Sequence, residues 1–193
     1  EFLTFGGYPA VVIESQIEEK NYLLKDLYHS YLKKDVVDAG VQDQMKFYKL
    51  LTLLAHQTGS LLNVNELSNT LGLSNTAVNN YIDILIKSLH ISIVSPFSNN
   101  IRKELTKMPK IYFSDLGFRN TILNSFNPIE NRIDKGAILE NFIYKALINN
   151  YEKDMVKYWR TADGDEVDFV VDSIHSQFAI EAKYNYKQFN PKK

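Results

Sequence analysis

The chain has 193 residues, room for one domain or two small ones, and at 45% hydrophobic and 23% charged it has the material for a real core. Its 22 basic and 23 acidic residues leave no global positive field to draw it onto nucleic acid, so any DNA contact must come from a local patch. The absence of cysteine excludes disulfides, thiolate metal sites and thiol catalysis and fits a cytoplasmic protein, and no apolar run reaches the length of a membrane span.

Residues 1–12 read as extended, with a turn at Gly6-Gly7-Tyr8-Pro9. The start has neither an initiator Met nor a signal-peptide pattern, so the sequence reads as a fragment of something longer. A helix is expected from Glu14 to Val37, with Ile17, Leu24, Leu27, Tyr28 and Tyr31 at helical spacing and Gly40 ending it. A second, from Asp43 to His56, has Phe47, Leu50, Leu51 and Leu54 as its buried stripe. Asn63-Val64-Asn65-Glu66 has the form of a capping box and opens a short third helix that stops at Gly72. Ser74 caps the next, which should bury Val78, Ile82, Leu85 and Leu89.

Ile91 to Phe97 alternates as a strand, a polar and basic loop follows, and Lys110-Ile111-Tyr112-Phe113 reads as the returning strand. Asp115-Leu116-Gly117 starts a short helix, and the stretch from Asn124 to Asn131 is the best linker. From Gly136 to Asn150 the pattern is helical, with Leu139, Phe142, Ile143, Ala146 and Leu147 apolar. Strands are expected at Val156–Arg160, Glu166–Val171 and Gln177–Lys183, and no structure is assigned from Tyr184 to Lys193.

Two constellations bear on function. The first, Asn63 to Lys110, has the element order of a winged helix-turn-helix. Its recognition helix would expose Asn75, Thr76, Asn79, Asn80, Asp83 and Lys87, and its wing would carry Arg102, Lys103 and Lys107 toward phosphates. The same order also suits a tri-helical packing unit or a protein-docking winged helix, and the near-neutral helix face leaves these readings open. The second constellation is Glu140, Asp168, Glu181 and Lys183. Glu181 and Lys183 share a face if they lie on a strand, and the three carboxylates would suit a hard cation such as Mg²⁺, with Lys183 orienting a water. Spacing alone favours the plainer alternative of a surface Glu140 and a solvent-facing hairpin with a cross-strand ion pair. The four histidines are scattered without metal-ligand spacing, and there is no phosphate loop, hence no ATP site in this chain.

The order of motifs resembles the C-terminal half of prokaryotic AAA+-type ATPases that carry a DUF4143 region, over nearly the whole chain. Gly6-Gly7-Tyr8-Pro9 is similar to a glycine–aromatic–proline segment near the end of that ATPase module. Tyr31-Leu32-Lys33-Lys34-Asp35-Val36 resembles the family's aromatic–basic–Asp stretch, and Leu67 to Leu85 its helix-turn-helix. Lys110 to Gly117 is similar to the strand and turn after the wing. Gly136 to Phe142, Tyr158-Trp159-Arg160-Thr161, Glu166-Val167-Asp168-Phe169 and Glu181-Ala182-Lys183 resemble its PD-(D/E)xK nuclease-like end.

The resemblance implies an α/β (α+β) fold: an N-terminal helix and linker over 1–40, a winged helix-turn-helix over 41–125, and a truncated restriction-endonuclease-like domain over 126–193. It implies a DNA-engaging region of an ATPase and a site for Mg²⁺-dependent nuclease activity. Glu140, Asp168 and Glu181 would be the metal ligands, and Asp168, Glu181 and Lys183 the catalytic set. Membership in the nuclease fold does not itself bring cleavage. The alternative is a non-catalytic module for a protein partner, self-association or ATPase assembly.

Overall fold

Helices and two small antiparallel sheets, an α+β architecture, make up residues 1–98, 107–161, 163–173 and 176–185 of a computed structural model. Residues 1–12 are not extended: they form two short helices, α1 (Phe2–Phe5) and α2 (Pro9–Ile13). Pro9 stands at the first helical position, where its missing N–H costs nothing. α1 is held from outside. The Asn120 amide donates to the carbonyls of Leu3 and Thr4 at 3.1 and 2.8 Å, and the Gly7 N–H donates to Asp115 Oδ2 at 2.7 Å. Gly117 makes that approach possible, because a Cβ there would lie 2.1 Å from the Phe5 carbonyl oxygen.

The long helix α3 (Ile17–Asp38) buries Leu24, Leu32 and Val36. Ile17 and Tyr31, expected on its buried stripe, are 62% and 49% exposed. α4 (Gln44–His56) is capped by Asp43, whose carboxylate accepts the Lys46 N–H at 3.0 Å. α5 (Val64–Leu71) is capped by Asn63, which accepts the Glu66 N–H at 3.2 Å, and ends on Gly72 in the left-handed conformation. Ser74 caps α6 (Asn75–Lys87) by accepting the Ala77 N–H at 3.2 Å. Phe47, Leu50, Leu51 and Leu54 meet Leu67, Val78, Ile82 and Leu85 in the first core. Leu89, expected in the same stripe, lies past the end of α6 at φ 59° and is 66% exposed.

β1 (Ile91–Val94) pairs antiparallel with β2 (Lys110–Phe113), from Ile91 opposite Phe113 to Val94 opposite Lys110. β2 is a wall shared by two cores. Side chains alternate along a strand, so Ile111 and Phe113 enter the first core while Tyr112 enters the second. α7 (Leu116–Ile122) follows, with Asp115 capping the Phe118 N–H at 2.9 Å.

The second core lies between α8 (Lys135–Ile148) and the sheet β3 (Val156–Arg160), β4 (Glu166–Asp172), β5 (Gln177–Ile180), which pairs in that order. Tyr112, Tyr144 and Phe169 pack their rings together there with Val94, Val156 and Val171 around them. The buried face of α8 does not follow its apolar positions: Ile138, Asn141, Tyr144 and Leu147 are buried, while Phe142 and Ala146 are exposed. The cause is polar. The Asn141 amide accepts the Phe113 N–H at 2.7 Å and donates to the Phe113 carbonyl at 2.9 Å, completing backbone bonds of β2 that β1 does not supply. The expected third strand is also shorter, since β5 ends at Ile180 and leaves Glu181 and Lys183 beyond it.

Ile82 is 4% exposed in the first core. Ile82→Ala should therefore lower the unfolding free energy by about 2–5 kcal/mol with an unchanged denaturant slope. A loss near zero in urea titration would show that α6 does not pack through this residue.

Candidate functional site

Alternation along β2 and β4 builds the most charged buried site among the described residues. Lys110 and Tyr112 stand two apart on β2 and face the same way; Glu166 and Asp168 do the same on β4. α8 brings Glu140. The Lys110 ammonium lies 2.9 Å from Glu140 Oε1, contacts Glu166 Oε1 and lies 3.8 Å from Asp168 Oδ1. It also sits 5.6 Å from the centre of the Tyr158 ring, and the Tyr112 hydroxyl donates to Glu140 Oε1 at 2.5 Å. Arg160, opposite Glu166 in the sheet, reaches its other oxygen at 3.5 Å. Lys110 is 2% exposed.

The charges are tuned against one another. Burial works to lower the Lys110 pKa, but Glu140 and Glu166 outweigh it and hold the ammonium above its ordinary value. Burial raises the Glu140 carboxyl, and Asp168 adds to that, while Lys110 and Tyr112 oppose it. Asp168 is likewise raised by burial and by Glu181, against the Ala182 N–H, Lys110 and Lys183.

The structure brings the predicted residues of this end together, although not on one strand face. Asp168 turns Oδ1 toward Lys110 and accepts the Ala182 N–H on Oδ2 at 2.8 Å, so it faces the Glu181-Ala182-Lys183 segment. Glu181 Oε1 and Lys183 Nζ pair at 2.5 Å in the non-strand chain after β5. Among the described residues no group of three or more His, Asp or Glu is spaced to hold a metal ion.

On α6, Asn75, Thr76, Asn79 and Asn80 are all exposed and share one helical face, with Asp83 and Lys87 exposed further along. Asn75 donates to Asn65 Oδ1 at 2.6 Å. Lys107, also exposed, donates to the Arg160 carbonyl at 3.3 Å, which sets it against β3 and away from open solvent on one side. Arg102 and Lys103 lie outside the described residues.

Lys110, Tyr112 and Glu166 were not singled out as site residues from sequence. The signal was present: Lys110/Tyr112 and Glu166/Asp168 are pairs two apart within strands, each placing polar groups on one face. What could not be read was that the two faces meet, with Glu140 of α8 beside them.

The raised carboxyls give a testable pH dependence. Between their unfolded and folded values, Glu140 and Asp168 retain protons that the unfolded chain has released, so their stabilising effect is full below the unfolded carboxylate pKa and declines as pH rises through the folded values. Lys110 opposes both shifts, so Lys110→Met should extend the decline to higher pH. The deficit of the variant against the parent chain should be larger at about pH 8 than at about pH 5 in urea unfolding. Parallel stability curves would contradict the assigned coupling.

Comparison with known proteins divides the chain between α7 and α8. Residues 1–129 match the model of a Domain of unknown function (DUF8612), and residues 135–193 match that of a Domain of unknown function (DUF4143). The DUF4143 match is thus narrower than the nearly whole-chain resemblance read from sequence. An uncharacterized protein of Mycobacterium tuberculosis is 26% identical over 181 residues, covering 92% of this chain and 41% of the relative. One from Haemophilus influenzae is 26% identical over 200 residues, covering 96% and 46%, and one from Methanocaldococcus jannaschii is 23% identical over 145 residues, covering 74% and 30%. The chain spans less than half the length of these relatives. No solved structure matches it significantly. No helix among the described residues is long and apolar enough to cross a membrane. With its first 129 residues under one model, the chain belongs to the DUF8612 family, and its residues 135–193 are similar to DUF4143.

Proposed function

We propose that the chain is the DNA-engaging C-terminal region of a longer AAA+-type ATPase, with residues 41–125 acting as a winged helix. The observation that carries this reading is the exposed Asn75, Thr76, Asn79 and Asn80 face of α6, followed by the antiparallel pair β1–β2. α6 is pinned to α5 through Leu67, Val78 and Ile82, so its polar face is held rigidly outward. Asparagine amides and a threonine hydroxyl can bond base edges or phosphates, and exposed Lys107 adds a cation for the backbone. The near-neutral net charge predicts modest affinity with few phosphate contacts.

Phosphodiester cleavage at the DUF4143 end would need a divalent cation on Glu140, Asp168 and Glu181. Their oxygens are of the right chemistry for Mg²⁺, yet as arranged they do not fit it, because the Lys110 ammonium already occupies the space between Glu140 and Asp168. No step is therefore assigned to a metal.

A second reading, docking of a protein partner, has its own support. Phe2, Tyr31, Leu89 and Phe142 are 53%, 49%, 66% and 38% exposed around a cleft of about 760 Å³. Exposed aromatic and aliphatic side chains gathered at one cleft favour an interface.

The test for DNA is duplex binding across a salt series. Thr76→Glu with Asn80→Glu should abolish binding without lowering Tm, since both residues are exposed. Lys107→Ala should flatten the slope of log K against log salt by about 1. Absence of salt-dependent binding by the parent chain, or indifference to the Glu pair, would favour the docking reading instead.

A further inference from the structure

We infer that Lys110 is the resident cation of the Glu140–Glu166–Asp168 cluster, and that this ammonium closes the nuclease-like end to divalent metal. An ammonium has three N–H donors and no acceptor. Here three carboxylates surround it: Glu140 at 2.9 Å, Glu166 in direct contact and Asp168 at 3.8 Å. Its fourth side faces the Tyr158 ring, at 5.6 Å from the centroid. The Tyr158 hydroxyl is itself tied to the Met108 carbonyl at 2.5 Å, so ring and lysine are anchored within one short stretch of chain. Lys110 is nearly inaccessible, and its backbone is held in β2 opposite Val94, so the ammonium is delivered by a rigid strand and not by a swinging loop.

A Mg²⁺ ion demands oxygen ligands at about 2.0–2.1 Å in near-octahedral geometry. Glu140 Oε1 and Asp168 Oδ1 both face Lys110 Nζ, so the ammonium stands where a cation shared by the two would sit. Other oxygens of the cluster are engaged as well: Asp168 Oδ2 accepts the Ala182 N–H, Glu166 Oε2 faces Arg160, and Glu181 Oε1 pairs with Lys183. Four carboxylates and the three cations Lys110, Arg160 and Lys183 nearly balance without any metal. The cation also comes from the DUF8612 part while Glu140, Glu166 and Asp168 come from the DUF4143 part, so the same contact joins the two matched segments. This inference is independent of whether α6 binds DNA.

Manganese titration decides it, read by calorimetry and by thermal unfolding at neutral pH. The parent chain should show no saturable Mn²⁺ binding that depends on Asp168, and its Tm should not move with Mn²⁺. Lys110→Met empties the centre of the cluster and should gain a Tm that climbs with the logarithm of Mn²⁺ concentration, a gain lost again in Lys110→Met with Asp168→Asn. Saturable Mn²⁺ binding by the parent chain, abolished by Asp168→Asn, would overturn the inference. So would a folded Lys110→Met variant that gains no Mn²⁺ response. If Lys110→Met does not fold, the parent chain and Asp168→Asn alone decide: equal indifference to Mn²⁺ upholds the closed site, and a difference between them refutes it.

Discussion

Burying the Lys110 ammonium is tolerable only because carboxylates close on it from two other elements. An unpaired charge at that depth would lose several kcal/mol of hydration, on the order of the whole stability of a small domain. The lysine comes from β2, Glu140 from α8, and Glu166 and Asp168 from β4. That one requirement places β2 between the helical first core and the α8–sheet second core. The alternation of β2 serves both sides at once: Ile111 and Phe113 give apolar surface to one, Lys110 and Tyr112 give polar groups to the other.

Other buried polar contacts reinforce the same junction. Asn141 satisfies both backbone groups of Phe113 from α8. Arg119, 1% exposed in α7, donates to the Ala55 carbonyl at 3.0 Å and pairs with Asp134, which also holds Arg132. These groups span the interval between residues 129 and 135 where the two family matches meet. A junction made of paired charges and amide bonds has directional requirements that an oily interface lacks, so the two segments meet in one arrangement. A buried ion cluster does not by itself imply greater stability than a well-packed apolar one, and its value here is in fixing which surfaces meet.

Much of the fold was legible because it is written locally. The caps Asp115, Asn63 and Ser74, the left-handed Gly72, the α4 stripe and the β2 strand all follow from residues within a turn of one another. Misread elements depend on distant partners. α1 and the Gly6-Gly7 turn after it are held by Asp115 and Asn120, more than a hundred residues on, which no local pattern of Gly and Pro reveals. The buried face of α8 was not legible because apolar periodicity weighs Asn141 as a surface residue, when its two bonds to β2 place it in the buried stripe. At the site, Glu140, Asp168, Glu181 and Lys183 were legible as a motif order. The residue that decides their chemistry, Lys110, was not, since its role depends on a β2–α8–β4 meeting that sequence spacing does not encode.

A double-mutant cycle between Lys110 and Glu140 tests the central claim most directly. Urea unfolding of Lys110→Met, Glu140→Gln and the double variant gives the interaction free energy apart from each residue's other contacts. If the ammonium and carboxylate sustain each other across the β2–α8 junction, each single change is costly and the double variant costs less than their sum by about 2 kcal/mol or more. Additivity within about 0.5 kcal/mol would mean that the two groups are near neighbours without a shared role, and the account of the junction would fail.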